Sequence, residues 1–402
     1  MTEPSSVVTD RERAWTSALG AWDAGNLPLA FHYCQAALAA GMTSADLHAL
    51  MASIALGLGQ YAKAGHYANL ADAARLPPPP RRRYLVIHPW GCGFWGEVDH
   101  VLAQLAVAEL TSRRPIVFWG AGSLYRAPGY RNAWDAYFEP VSEATMDEVT
   151  RSDLTFAPAR WNSANVESPS ASSQGSAPRT SSLVLLDAPE DVAVADCHNR
   201  LLDILPWAPE GHWLHGMSGE KAYRSLAKKY LRVSQPLAEE IGDLASQIRA
   251  RAPVLAVHYR TQSPIKVHES TEGAGLSIVD YLPHVDRFLA ENAAGAVFLL
   301  TDYAPAARAF LERYPNRILM LPAIRLEREE QVEVTFLPVE DRSGLAKEVI
   351  RDVYLAAECD LFLGDGASGV SCAIGHLKEW APGSYNLLRG NVTLLPGRIQ
   401  TF

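Results

Sequence analysis

His258 and Arg260 stand two positions apart in the run A-V-H-Y-R, so on a strand their side chains point to one face. An arginine offers a planar fork of N–H donors matched to phosphate oxygens, and a neighbouring histidine adds another. The chemistry this pair suits is the holding of a diphosphate. An edge-strand arginine in a surface ion pair would use the same two residue types, and spacing alone leaves both readings open. Lys266 and Glu269 come next in T-Q-S-P-I-K-V-H-E, in a loop or short helix.

Three further segments carry residues of use to such a ligand. In F-L-L-T-D-Y, Thr301 and Asp302 close an apolar run; the aspartate could bond a ribose hydroxyl or a base, or cap the next helix. In D-L-F-L-G-D-G-A-S-G-V-S-C-A-I, the residues Ser368, Gly369, Val370 and Ser371 open a helix. Unpaired N–H groups and the helix dipole there make a cradle for phosphate. In G-C-G-F-W-G-E-V-D-H, Gly91 and Gly93 would let backbone N–H groups approach a substrate, with Trp95, Asp99 and His100 beside them. Of the tryptophans Trp90, Trp95, Trp119 and Trp134, burial suits most. Trp95, inside the glycine turn, is the one expected to stack on a sugar ring.

Each segment falls at the carboxyl end of a predicted strand. Strands are predicted at 84–88, 115–119, 182–187, 254–259, 296–301, 317–321 and 361–363, and helices at 98–110, 280–290, 304–314 and 345–357. A helical stretch over 219–249 should be interrupted at Pro236. Strand alternating with helix indicates an α/β chain with parallel sheets. The expected organisation is a first Rossmann-like half over 84–235, with a Ser-rich surface insertion at 167–181, and a second half over 236–402. The ligand would lie between them.

The first 75 residues differ. Shifted by 34 positions, Gly25, Ala30, His32, Tyr33 and Ala37 fall on Gly59, Ala64, His66, Tyr67 and Ala71. The period and the small residues resemble tetratricopeptide repeats, which implies a small all-α region of helical hairpins over 1–76. Two repeats are too few for a stable solenoid and should pack on the α/β domain, as a structural cap or a docking surface for a protein or peptide partner. His32 and His66 read as packing residues. Residues 77–83, four prolines and three arginines, form a stiff linker.

The chain has 402 residues, 48% hydrophobic and 20% charged, a globular composition. Its net charge of −9 argues against a nucleic-acid surface while leaving room for one basic cleft. Cys34, Cys92, Cys197, Cys359 and Cys372 are scattered without a CxxC pair, so neither a disulfide framework nor a zinc site is expected. The polar N-terminus lacks a secretory h-region and no apolar run could span a bilayer, so the expected address is the cytoplasm.

In order, G-C-G-F-W-G-E-V-D-H-V, K-K-Y-L-R-V, H-Y-R, L-T-D and D-V-Y-L-A-A-E-C-D-L-F-L-G-D-G-A-S-G-V-S-C resemble the fucosyltransferase-like GT-B family that includes the α-1,6-fucosyltransferases. The resemblance covers residues 84–380. It implies inverting, metal-independent transfer from a GDP-sugar, GDP-fucose being the expected donor, to the hydroxyl of a glycan, metabolite or peptide. By that resemblance Arg260 holds the donor β-phosphate, His258 lies against the nucleotide, and Asp352 approaches the guanine. Ser368 to Ser371 close on the phosphates, and Lys266 and Glu269 match the family's Lys/Glu pair, with Glu269 as general base. The chain departs from the family after H-Y-R, where T-Q-S-P-I-K replaces the usual Thr-Asp-Lys. A transferase using a UDP- or ADP-sugar, and an inactive transferase-like adaptor, are the alternatives this departure leaves open.

Overall fold

The computed structural model describes residues 9–75, 83–168, 181–260, 276–328, 334 and 337–395. The chain divides into two compact units, residues 1–81 and 82–402.

The first unit consists of helices Asp10–Asp23, Leu27–Ala39, Ala45–Gly57 and Tyr61–Arg75, successive ones in contact. Asn26 and Ser44 cap the second and third by accepting from Leu29 and Leu47 N–H. Gly25 and Gly59, 34 residues apart, have φ of +72° and +71°, the left-handed conformation that ends each first helix of a pair. Ala30 and Ala37 are buried, as are Ala64 and Ala71, so small residues set the close helix approach. His32 and His66 are exposed, each against the next residue's tyrosine ring, and are not the packing residues expected.

The second unit holds two parallel sheets. The first comprises β1 (Tyr84–Ile87), β2 (Arg114–Val117), β3 (Phe156–Ala157) and β4 (Val192–Ala195), in the order β2-β1-β4-β3. The second comprises β5 (Val254–Tyr259), β6 (Ala296–Thr301), β7 (Ile318–Leu319), β8 (Leu361–Gly364) and β9 (Tyr385–Leu387), in the order β7-β6-β5-β8-β9. Among the described residues every strand pair is parallel. β1, β4, β5 and β6 are buried at every position, as strands covered by helices on both faces must be. Two doubly wound sheets in one unit are the architecture expected from the strand–helix alternation, with the switch point of the second beside β5.

The expected strand at 182–187 is a 3-10 helix, Ser182–Leu186. Its burial has a period of three, Ser182 and Leu185 inward with Val184 exposed, and Asn199 Oδ1 takes the Ser182 N–H at 2.8 Å. Its place in the sheet is held by β4, a short V-A-V-A run. Pro236 does not interrupt a helix. Helix Gly219–Tyr230 ends first, and the proline sits in the first turn of Gln235–Arg249, where its missing N–H costs nothing.

Candidate active site

β5 is the central strand of its sheet, so Arg260 is no edge-strand arginine. The register pairs Tyr259 with Thr301 on β6 and Val257 with Leu363 on β8. Arg260 and Asp302 therefore emerge side by side at the carboxyl edge, and Asp365 follows β8 level with Tyr259. His258 is buried, and its Nδ1 lies 2.8 Å from the Ser371 hydroxyl. Burial pushes the imidazole down to about 4; Asp302 and Asp365 oppose this and Arg260 adds to it. The ring is therefore neutral at pH 7, a hydrogen-bonding group without charge.

Helix Ala304–Arg313 has Tyr303 at its N-cap position and no side-chain cap bond, so Asp302 does not act as the cap. Thr301 Oγ1 accepts the Tyr303 N–H at 3.2 Å, fixing the turn after β6. Ser368 occupies the N-cap of helix Gly369–Leu377 without capping it. Its Oγ is buried with no hydrogen-bond partner among the described residues, and Ser371 is fully buried. Val370 is half-buried against the core. The first N–H groups of this helix have no intrahelical acceptor, as at any helix start.

Three residues not singled out from sequence, Asp365, Gly366 and Arg389, complete the turn. Arg389 Nε donates to Asp365 Oδ1 at 2.8 Å and its terminal nitrogen to Oδ2. The buried Asp365 carboxylate is thereby neutralised and does not oppose an anion at the helix start. A Cβ on Gly366 would collide with the backbone carbonyl oxygens of Arg389 and Gly390. The pairing spans 24 residues, which no local pattern reveals.

Asp352 lies on helix Arg342–Glu358 with Arg351 Nε 3.6 Å from its Oδ1. Burial raises its carboxyl to about 7, against the lowering pull of Arg351 and Arg325. Its Oδ1 is buried with no hydrogen-bond partner among the described residues.

The glycine turn of the first half is built differently from expectation. Glu97 is buried and accepts from the N–H groups of Trp90 at 2.7 Å, Cys92 at 2.7 Å and Gly91. An internal carboxylate thus takes the Gly91 N–H that was expected to meet substrate. Gly93 instead caps helix Phe94–Thr111. Trp95 is not a sugar platform: it is buried in the second helical position and donates its indole N–H to the Val349 carbonyl at 3.2 Å, bridging the halves. Trp119 and Trp134 are also buried, and Trp90 is the partly exposed member of the four. His100 is fully buried with Nε2 3.0 Å from the His88 carbonyl, and so is not an acceptor-facing residue. Asp99 lies 3.4 Å from His198 and belongs to a polar cluster with Tyr223 and His376.

The halves meet at the two helix starts, where a Cβ on Gly369 would lie 3.6 Å from the Gly96 nitrogen. Lys266 and Glu269 lie outside the described residues. No group of three metal-ligating side chains occurs among the described residues. Nor is any helix there long and apolar enough to cross a membrane.

No family model and no curated protein matches the chain. Among solved structures it is similar to the NodZ alpha-1,6-fucosyltransferase soaked with GDP-fucose, at 17% identity over 74% of this chain and 93% of that one, TM-score 0.46. It is also similar to POFUT1 in complex with GDP, at 16% identity over 74% and 95%, TM-score 0.43. The FUT1 of Arabidopsis thaliana in complex with GDP matches at 8% identity over 78% and 72%, TM-score 0.42.

Proposed function

We propose that the chain is a glycosyltransferase that moves fucose from GDP-fucose to an acceptor hydroxyl, with inversion and without a metal. The second half takes the donor and the first half the acceptor. The observation that carries this reading is the meeting of His258 and Ser371 beside Arg260, at the start of a helix whose N-cap serine has a buried hydroxyl with no partner among the described residues. Arg260 and the helix N–H groups stabilise the charge that develops on the leaving diphosphate, the task a metal would otherwise perform. Asp352 offers a carboxylate to the guanine N–H donors. Thr301 and Asp302 line the same edge, where the aspartate can reach a ribose hydroxyl.

Thermal-shift titration with GDP, UDP and ADP tests the reading, on the wild type and Arg260→Ala, with and without EDTA. GDP should raise the melting temperature most, Arg260→Ala should remove the shift, and EDTA should change neither binding nor transfer. A preference for UDP or ADP would overturn the donor, and transfer abolished by EDTA would overturn the metal-free mechanism. An Arg260→Ala protein that behaves as wild type would favour an inactive adaptor.

A further inference from the structure

His198 lies three residues beyond β4 and so sits at the carboxyl end of the first sheet, where ligands of parallel α/β sheets bind. Its Nε2 is 3.4 Å from Asp99 Oδ2, with the Asp99 side chain 12% exposed and that of His198 25%. Burial alone would raise the Asp99 carboxyl, but His198, Tyr223 and His376 together hold it below its usual range. A charged, largely buried carboxylate thus grips one imidazole nitrogen while the ring keeps an open edge. This is the relation of a base to the group that orients it.

Two aromatic rings frame the imidazole. His100 stacks on it at 5.8 Å and 26°, and is itself fixed by the His88 carbonyl. Trp90, partly exposed, lies at 5.9 Å and 49°, its backbone N–H held by Glu97. An indole face beside a partly exposed imidazole suits a sugar ring carrying a hydroxyl.

The donor edge is close. Asp99 is three residues, roughly 5 Å along the helix axis, from Gly96, and Gly96 abuts Gly369 at the start of the second half's helix. Asp99 and Gly369 line one small cavity of about 10 Å³, with His376 and Thr393.

We propose that His198 is the base that takes the acceptor hydroxyl's proton, with Asp99 as its positioning residue and Trp90 as the platform under the acceptor sugar. This rests on the glycosyltransferase reading of the chain. In the step, the acceptor oxygen bonds to the anomeric carbon as the carbon–oxygen bond to the β-phosphate breaks. Its electron pair leaves on GDP, and the hydroxyl proton passes to Nδ1 of His198. The charged and titratable groups around the imidazole are Asp99, Glu97 and His100 of helix Phe94–Thr111, with Tyr223 and His376 reaching it through Asp99. Glu269 is the rival base.

The experiment measures GDP release from GDP-fucose, with water and a mixture of free mono- and oligosaccharides as acceptors. It uses the full chain and the variants His198→Gln, His198→Ala, Asp99→Asn and Glu269→Gln. His198→Gln should bind GDP as the wild type does, lose on the order of 10²–10⁴-fold in kcat, and lose the acid limb of its pH–rate profile. Added imidazole should restore part of the turnover of His198→Ala, which a merely structural role would not allow. Asp99→Asn should lower kcat with GDP affinity unchanged. Wild-type kcat and pH profile in His198→Gln overturn the proposal while leaving the transferase reading standing. So does loss of turnover in Glu269→Gln together with no imidazole rescue of His198→Ala. A wild-type protein that binds no GDP removes the transferase reading, and this proposal with it.

Discussion

The Nδ1 of His258 and the hydroxyl of Ser371 meet at 2.8 Å, tying the end of the central strand to the first turn of the helix that would hold the donor phosphates. Ser371→Ala leaves the buried imidazole without this partner. It should cost about 1–3 kcal/mol of stability and weaken GDP binding by about tenfold as the strand end loses its tie to the helix. Urea denaturation and titration calorimetry check the two effects, and unchanged affinity would detach His258 from the donor site.

Three of the buried histidines make the protein acid-sensitive. Burial lowers His88, His258 and His376 to about 4, from an ordinary value of 6.5. Between those values the unfolded chain binds more protons than the folded one, so stability is present above about 6.5 and is lost as pH falls toward 4. The loss is up to about 1.4 kcal/mol per pH unit for each histidine. Urea midpoints measured across this window should fall with acidification, less steeply in His376→Gln. A flat profile would contradict the burial of these rings.

Asp352 works in the opposite sense. Its folded carboxyl stands near 7, above the unfolded value of 3.8, so its contribution is complete in acid and disappears as pH rises through about 7. Guanine N–H donors need the ionised form, so GDP affinity should climb through pH 7 and level above about pH 8. In Asp352→Asn that pH dependence should vanish and GDP should lose its advantage over ADP. Competition binding at several pH values checks both, and a pH-independent affinity in the wild type would exclude Asp352 as the base reader.

Glu97 is the internal acceptor of the glycine turn, its carboxyl raised by burial against the pull of the three N–H groups it accepts. Glu97→Ala strands the N–H groups of Trp90, Gly91 and Cys92, and should cost on the order of 3 kcal/mol, read from chemical denaturation. Glu97→Gln keeps an acceptor and should cost less. Equal losses in the two variants would mean that shape, and not hydrogen bonding, holds the turn.

Much of the second sheet was legible because its strands are long apolar runs. V-L-A-V-H-Y and A-V-F-L-L-T are followed directly by Arg260 and Asp302, charged residues that mark the carboxyl edge. β3, β4 and β9 were not, being two to four residues long with no alternation to betray them. The site showed the same division. His258 and Ser371 could be read because a strand end and a helix start announce themselves locally. Arg389, His198 and the inward turn of Glu97 could not, since each acts on a residue that only the folded chain brings near. Trp95 was misread by a single turn of helix: the helix begins at Phe94, which carries the indole into the seam between the halves.

The contact of Gly369 with Gly96 has an electrostatic consequence. Two helices end there with their amino termini together, each worth roughly half a positive charge, and like ends repel. The Glu97 carboxyl sits in the first turn of one of them; the other has no acidic residue there. An arriving diphosphate would act as a rivet, relieving the repulsion and drawing its attraction from both halves at once. Donor affinity should therefore weaken as salt is raised, more steeply than the single arginine would account for.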